Sequence, residues 1–316
     1  MKEGLVSFVM LTYQSFDGVI DTLASLFEQD YPSIELIISD DGSSNYDGGI
    51  AAVKRYIDEN RPDSVERVVY NHLEQNQGTV RNANAALRLA NGEFVKLLGA
   101  GDTFWTKDSL STYVTRLRES GCLICFSKLV GVTPEGQLVH KLASCADDYD
   151  ELRAMTPLQL RDRLFARNCL PAPAWIARTE LFERYGYFPK VARLIEDYPY
   201  WLYLCGKEVR FGFVDDVLIR YRLSGVSSAG AYGKQFMTDM YAIYDQCIFP
   251  VDKRFGATQG VYNALKRAGL NAYMDRARWG EYSVAQKASA WVRHGIFFAY
   301  IDLSNWRVAR KNEKEG

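Results

Sequence analysis

The chain has 316 residues, of which 47% are hydrophobic and 24% are charged, a composition typical of a globular protein with a large core. Its 38 lysine and arginine residues nearly balance its 39 aspartate and glutamate residues. With a net charge of only −1, the chain has no overall field that would recruit nucleic acid, so we predict no nucleic-acid partner.

The six cysteines are scattered, mostly through apolar segments, which is typical of reduced core thiols rather than of a disulfide framework. The first 15 residues carry only a short apolar stretch and predict a strand rather than a signal peptide. No segment reaches the roughly 20 apolar residues that span a bilayer. We therefore predict a cytoplasmic protein whose contact with a membrane would be peripheral.

Strand and helix patterns alternate from the start of the chain to about residue 127. The strands are predicted at Leu5–Thr12, Ile34–Ser39, Arg67–Tyr70, Glu93–Leu98 and Cys122–Ser127, with amphipathic helices between them. Such alternation predicts a doubly wound α/β fold with a mostly parallel sheet.

The regular alternation stops after residue 127. A turn at Thr133–Gly136 predicts a hairpin between Leu129 and His140, and Thr156-Pro157 predicts a helix N-terminus. Two short strands are predicted at Arg210–Val214 and Val217–Tyr221, and residues from about 234 to 298 have a helical pattern. We predict a catalytic domain of residues 1–228 and a helical region of residues 229–316.

Polar residues follow three of the predicted strands. They are Thr12-Tyr13-Gln14, Asp40-Asp41-Gly42-Ser43 and Gly99-Ala100-Gly101-Asp102. Ligands of open parallel sheets bind beyond the carboxyl ends of the strands, so these three segments predict one binding site. Asp40 and Asp41 are suited to ribose hydroxyls or a base edge, although an Asx turn that caps the next helix would use the same residues.

Three further residues have both a chemical and a structural interpretation. Asp102 is a hard oxygen ligand suited to Mg²⁺ or Mn²⁺, or else a helix cap. Asp197, within the apolar segment that begins at Ile195-Glu196, is a candidate general base, or else an acid favoured at a helix N-terminus. Arg222 is suited to phosphate oxygens, or else to a surface ion pair.

In this order the segments resemble family 2 glycosyltransferases, which have the GT-A fold. Val6–Gln14, Ser25–Pro32 and Glu35–Ser43 resemble the family's V-S-I-I-I-P-T-Y-N, S-L-x-x-Q-x-Y-P and E-I-I-V-V-D-D-G-S motifs. The segment Asn76–Gly92 resembles its N-x-G-x-x-x-N-x-G-I-x-x-A-x-G motif. The similarity covers residues 6 to about 228.

Two departures from the family pattern concern the metal site. The family's D-x-D-D stands here as Gly99-Ala100-Gly101-Asp102, so only the last carboxylate remains. Glu196-Asp197 corresponds to the E-D motif, and Tyr221-Arg222 with Ser227-Ser228 resembles Y-R-x-H-x-x-S-x-S, with Ser224 at the histidine position. The resemblance therefore implies a divalent-metal site that is weaker than usual.

The resemblance implies an inverting enzyme that moves a sugar from a nucleotide-sugar donor, most simply a UDP-sugar, to a hydroxyl of a saccharide or lipid-linked acceptor. It implies Asp197 as the general base and Asp102 as the ligand of Mn²⁺ or Mg²⁺. The donor would contact Thr12, Tyr13, Asp40, Asp41, Asn76, Gly78, Arg81, Gly101 and Arg222.

Two alternatives stand beside this interpretation. The missing carboxylates and histidine are also consistent with a non-catalytic GT-A-like subunit that binds a nucleotide or a partner enzyme. A nucleotidyltransferase on a similar sheet would need a glycine-rich, basic loop after the first strand, and Thr12-Tyr13-Gln14-Ser15 has no such features.

Overall fold

The structure is a computed structural model of the chain, and it describes residues 1–139, 148–223 and 233–298. The chain divides into two compact units, residues 1–223 and residues 224–316. The predicted domain boundary at residue 228 lies outside the described residues.

The first unit alternates strands and helices as far as residue 132 and then becomes irregular. Its elements are β1 (Lys2–Thr12), α1 (Phe16–Phe27), β2 (Ile34–Asp40), α2 (Tyr46–Asn60), β3 (Val65–His72), α3 (Thr79–Leu87), β4 (Gly92–Gly99), β5 (Thr103–Phe104), α4 (Ser109–Ser120), β6 (Ile124–Val132), β7 (Leu138–Val139), α5 (Tyr149–Ala154), α6 (Pro157–Ala166), β8 (Trp175–Arg178), α7 (Glu180–Tyr185), α8 (Asp197–Gly206) and β9 (Phe211–Arg222).

These strands form one mixed sheet in the order β3-β2-β1-β4-β8-β6-β9-β5, with β7 paired to β6. The pairs β1/β2, β1/β4 and β2/β3 are parallel, whereas β8 runs antiparallel to both β4 and β6. The chain goes from β1 to β2 on one side and returns to β4 on the other. The loops that follow β1 and β4 therefore flank a topological switch point, where open α/β sheets bind ligands.

The core lies between this sheet and the helices packed on it. β2 is buried along its whole length, and β1 is buried from Leu5 to Thr12. Strands covered on both faces are apolar almost throughout, which is why these segments read as continuous hydrophobic runs. Val19, Leu23 and Leu26 of α1 are fully buried in the same core cluster as Phe8.

The α/β class and the mostly parallel sheet predicted from the sequence are confirmed. The predicted turn joins β6 to the antiparallel β7, and His140 lies outside the described residues. Thr156 caps α6 in a capping box with Gln159. The prediction of two strands between residues 210 and 221 is wrong, because they form the single strand β9. The register of β9 against β6 shifts near Asp215 and Asp216, which accounts for the polar interruption.

The second unit is helical in the part that the structure describes. It contains α9 (Lys234–Ile243), a π-helical turn (Tyr244–Ile248), α10 (Gln259–Ala277) and a helix over residues 284–298, here α11. A small apolar cluster of Ala272, Ala290 and Phe298 joins α10 to α11. No helix in the described ranges combines the length and hydropathy needed to cross a bilayer.

Candidate active site

The ends of β1, β2 and β4 are joined directly by backbone hydrogen bonds. The N–H of Asp41 donates to the carbonyl of Thr12 over 3.0 Å, and the N–H of Ala100 donates to the carbonyl of Leu11 over 2.9 Å. The Thr12 side chain is 4% exposed, and its Oγ1 is buried without a hydrogen-bond partner in the described protein. A buried hydroxyl without a partner is costly, so this atom is suited to a bound polar ligand.

The carboxylate of Asp40 accepts hydrogen bonds within the turn that follows β2. Its Oδ2 accepts the Ser43 N–H over 2.8 Å and contacts His72 Nδ1 at 2.9 Å, while its Oδ1 accepts the Ser43 hydroxyl. The His72 ring stacks on Tyr46, with 3.7 Å between ring centroids. The Asx-turn interpretation of this aspartate is therefore realised, and Asp40 shapes the rim of the site by fixing the turn at residues 40–43.

Asp41 holds the loop that precedes α3. Its two carboxylate oxygens accept the N–H groups of Gln77, over 2.7 Å, and Gly78, over 2.8 Å. Burial raises the pKa of Asp41, and these two N–H donors oppose the rise. The carboxylate thus fixes the backbone path of residues 77–78 at the end of β2.

Gly78 occupies a position that no other residue fits without strain. Its φ of +89° is in the left-handed region, and a Cβ there would lie 2.3 Å from Arg193 Cγ. Arg193 also donates from Nη2 to the backbone carbonyl and side-chain oxygen of Asn76, and its own carbonyl accepts the N–H of Val80. The loop at residues 76–80 is therefore clamped between Asp41 and the segment that leads to Asp197.

An open groove of about 530 Å³ adjoins this loop, and it is lined by Leu73, Glu74, Gln75, Gln77 and Arg81. Its volume is in the range of small-molecule sites. Arg81 is exposed and donates to Gln77 Oε1 over 3.0 Å. Tyr13 is 47% exposed just beyond the end of β1. Both predicted donor contacts therefore lie on the surface of the site, available to a ligand.

Asp102 and Arg222 meet at the end of β4. The Arg222 N–H, on β9, donates to Asp102 Oδ1 over 3.0 Å. Gly101 has a φ of +101°, and a Cβ there would lie 2.7 Å from Arg222 Cδ. The Arg222 guanidinium is 3.7 Å from Asp21, and its side chain is 43% exposed. The glycine thus lets an arginine side chain cross closely over the loop that carries Asp102.

Burial raises the pKa of Asp102 to about 7, against the opposing effects of the Arg222 N–H and of Lys96. Lys96 is itself fully buried on β4, where its Nζ donates to the carbonyls of Pro173 and Trp175, and burial lowers its pKa well below the usual value. Asp102 is therefore a carboxylate that would gain strongly from a cation placed beside it.

The residues around Asp102 fit a divalent cation that takes most of its ligands from elsewhere. Asp102 Oδ2 borders the space that a side chain at Gly99 would fill, 3.6 Å from the ideal Cβ. No group of three His, Cys, Asp or Glu side chains suited to a metal occurs in the ranges that the structure describes. One carboxylate completed by diphosphate and water is a common arrangement for Mg²⁺.

Asp197 is the first residue of α8, and Glu196 occupies the N-cap position. Both side chains are 6% exposed. Burial raises the pKa of Asp197, and the Asn168 side chain opposes this by donating from Nδ2 to Asp197 Oδ2 over 2.9 Å. Burial, and then the charge of Asp197, raise the pKa of Glu196 to about 8. Asp197 therefore lies at a helix N-terminus, as the structural interpretation of this residue predicts. Its carboxylate also has a raised pKa, which suits a general base.

Sequence reasoning missed Asn168 and Arg193. Asn168 is oriented by the Leu170 N–H, which donates to its Oδ1 over 3.2 Å. Neither residue is part of a recognisable motif, since their roles arise from contacts across 29 and 117 positions of the chain. Ser224, Ser227 and Ser228 lie outside the described residues.

Solved structures with the same fold include two that contain nucleotide sugars. TarS 1-349 of Staphylococcus aureus in complex with UDP-GlcNAc superposes with a TM-score of 0.57 at 19% identity, covering 98% of this chain and 92% of that chain. The mannosyltransferase PcManGT of Pyrobaculum calidifontis, in complex with GDP-Man and Mn²⁺, gives 0.59 at 17% identity, covering 95% and 86%. The fold is the GT-A fold.

The sequence comparisons identify the family. The family model described as Glycosyl transferase family 2 matches residues 7–186, more than half of the chain. The chain is 30% identical over 149 residues to the putative teichuronic acid biosynthesis glycosyltransferase TuaG of Bacillus subtilis, covering 46% of this chain and 56% of that one. It is 29% identical over 116 residues to the putative colanic acid biosynthesis glycosyl transferase WcaA of Escherichia coli, covering 36% and 38%. The protein belongs to glycosyltransferase family 2.

The chain therefore spans only 56% of the length of TuaG and 38% of the length of WcaA.

Proposed function

We propose that this glycosyltransferase inverts the anomeric centre of a nucleotide-sugar donor, a UDP-sugar in the first instance, as it transfers the sugar to a hydroxyl of a glycan or lipid-linked acceptor. The observation that carries the proposal is the joining of Thr12, Asp41, Asp102 and Arg222 at one switch point. The relatives named for teichuronic acid and colanic acid biosynthesis support a role in polysaccharide assembly.

The donor nucleoside would occupy the ends of β1 and β2. The buried Oγ1 of Thr12 lacks a partner, and the groove beside Gln77 and Arg81 is large enough for a base and ribose. Asp40 and Asp41 already use their oxygens within the protein, so we assign them mainly the shaping of this surface. Tyr13 and Asn76 complete the proposed donor contacts.

The diphosphate would lie over Gly101, between Asp102 and Arg222. The positive φ of Gly101 exposes the loop backbone, and the half-exposed guanidinium of Arg222 can turn toward phosphate oxygens. Asp102 is the residue that would hold Mn²⁺ or Mg²⁺. Such a cation, when bound, supplies positive charge that stabilises the departing diphosphate.

Asp197 would act as the general base. Its Oδ2 is held by Asn168, and we assign the proton of the acceptor hydroxyl to Oδ1. The hydroxyl oxygen forms a bond to the anomeric carbon as the bond to the diphosphate oxygen breaks, and the proton passes to the carboxylate. The raised pKa of Asp197 makes it a stronger base than a surface aspartate.

We also propose a cellular location for the enzyme and a contact with the membrane. A cytoplasmic location is supported by the five described cysteines, which are all free thiols, four of them buried. Lipid-linked acceptors would bring the enzyme to a membrane surface, and we propose peripheral contact through the helical region of residues 229–316.

The decisive experiment is calorimetric titration of UDP, GDP and dTDP into the purified protein, with and without Mn²⁺. Tightening of one diphosphate by Mn²⁺ that is lost in Asp102→Ala is the expected result, and it names the donor class. Absence of binding to all three would remove the donor-site assignment and favour a non-catalytic subunit.

A further inference from the structure

Exposed large hydrophobic side chains are concentrated in the second unit. Eight of the 13 in the described protein lie within residues 233–298, although this range holds less than a quarter of the described residues. Single exposed apolar residues are ordinary, but a cluster of them marks an interaction surface. The densest group lies on α11.

The α11 helix has an apolar face that points away from its own core. Val284, Val292 and Ile296 are 85%, 88% and 87% exposed. They are spaced by eight and four residues, with the small exposed Ala288 between the first two, so they lie along one side of the helix. Ala290, which is fully buried, lies on the opposite side, and the buried Phe298 lies next to Trp291 at the edge of the face. Trp291, 46% exposed, borders the outer face.

Cations flank this outer face and no charged residue lies within it. At 100° per residue, Arg293 follows Ile296 around the helix on one side, and Lys287 lies beyond Trp291 on the other. Arg293 is paired with Asp275, and the Lys287 ammonium lies 5.8 Å from the centre of the Trp279 ring. An apolar strip with a tryptophan at its edge and cations at both flanks is the pattern of a helix that lies in a membrane interface.

The charge of the chain is divided unevenly between the units. Residues 224–316 contain 13 lysine and arginine residues against eight aspartates and glutamates, whereas residues 1–223 contain 25 against 31. An anionic surface would therefore attract the second unit and repel the first. Two copies of the second unit would repel each other, which disfavours pairing of this face with itself.

We propose that the outer face of α11, formed by Val284, Ala288, Val292 and Ile296 with Trp291 at its edge, binds the surface of bilayers that contain anionic phospholipids. The aliphatic side chains enter the boundary between headgroups and acyl chains, and the basic residues of the second unit attract the headgroups. This proposal deepens the peripheral membrane contact suggested above, and it does not depend on the identity of the donor.

The test is co-sedimentation of the full chain with vesicles of phosphatidylcholine alone or mixed with phosphatidylglycerol. The wild type should bind the mixed vesicles, bind pure phosphatidylcholine more weakly, and lose affinity as salt is added. The double variant Val292→Glu/Ile296→Glu should lower the vesicle partition coefficient about tenfold or more, because two charges replace the inserted aliphatic groups.

The matched control is Leu158→Glu, which places a charge at an exposed apolar residue of α6 in the first unit. It should leave vesicle binding unchanged. Melting curves and UDP titrations on the same samples show whether each variant is folded and whether the donor site is intact, so failure of the membrane proposal is distinguishable from failure of the proposed function.

Equal binding of the wild type and the double variant to anionic vesicles would overturn the proposal, as would absence of binding by the wild type. A third outcome also overturns it. If light scattering shows a dimer that the double variant dissociates, the face is an interface between copies of the chain.

Discussion

On the proposed donor side of the site, the carboxylates of Asp40 and Asp41 accept hydrogen bonds from the protein's own N–H and O–H groups. On the proposed acceptor side, Asp197 is buried at a helix N-terminus, held by the amide of Asn168 and next to a second buried carboxyl group. The protein's own donors thus compensate the carboxylates of Asp40 and Asp41 in large part. Glu196 and Asp197, and also Asp102, are buried carboxyl groups with a raised pKa and little compensation.

This difference separates residues that maintain the fold from residues that supply chemistry. Removing a carboxylate whose oxygens all accept hydrogen bonds leaves buried N–H groups without acceptors, which destabilises the protein. Neutralising a poorly compensated carboxylate relieves a desolvation cost, so activity falls while stability is retained or improved. Four substitutions test this contrast, in order of decreasing expected effect.

The largest effect is expected for Asp197→Asn. We expect kcat to fall by about 10²- to 10⁴-fold, because the amide cannot accept the acceptor proton, with an unchanged dissociation constant for UDP. Steady-state kinetics and calorimetry measure the two quantities. Retention of more than a tenth of kcat would mean that another group is the base. Tyr203→Phe, an exposed change on the same helix, is the control for handling of the protein.

Asp102→Asn should stabilise the metal-free protein by about 2–4 kcal/mol at pH 8. The folded protein raises the pKa of this carboxyl from 3.8 to about 7, so its ionisation opposes folding as pH rises through that interval. The gain should therefore be less than half as large at pH 5. Urea unfolding with a chelator present measures it, and an equal gain at both pH values would contradict the assignment. Mn²⁺ should no longer tighten UDP binding.

Gly78→Ala should lower the free energy of unfolding by about 2 kcal/mol, because a Cβ at a φ of +89° is strained and collides with Arg193. Donor affinity should fall with it, since the loop at residues 76–80 moves. Gly48→Ala, at an open position in α2, is the matched control and should stabilise the protein by about 0.5–1 kcal/mol. An unchanged free energy of unfolding in Gly78→Ala would show that the Arg193 side chain moves aside without an energetic cost.

The smallest effect is expected for Asn168→Ala. Loss of the amide donor should raise the pKa of Asp197 further, and the acidic limb of the pH profile of kcat/KM should move up by about one unit. Activity rises with pH through this pKa because the base must be ionised. Asn168→Asp should move the limb further by adding a negative charge. An unmoved profile in both variants would show that Asn168 only fills space.

The sequence was sufficient for the parallel half of the sheet, because buried strands and amphipathic helices have distinct periods. It did not predict β8, whose four residues in the centre of the sheet are too few for a pattern. It separated β9 into two strands because the register shift places Asp215 and Asp216 in its middle. Local patterns carry no information on such pairings.

The candidate site shows the same limit. Motif spacing predicts Thr12, Asp102 and Asp197 as site residues, because their neighbours in the chain are characteristic. It could not show that Asp40 would be used by Ser43 and His72, nor that Asn168 would reach Asp197, since these contacts depend on the packing of separate elements.

The hydrogen bond between Arg222 and Asp102 joins residues that are 120 positions apart. Synthesis proceeds from the N-terminus, so a nascent chain that has completed β1 to β4 contains Asp102 but not the strand that supplies its N–H donor. The edge strand β5 also cannot pair until β9, its antiparallel partner, has been synthesised. The proposed donor site around Asp102 therefore reaches its final geometry only after β9 has been synthesised, so a chain that ends before residue 222 lacks part of this site.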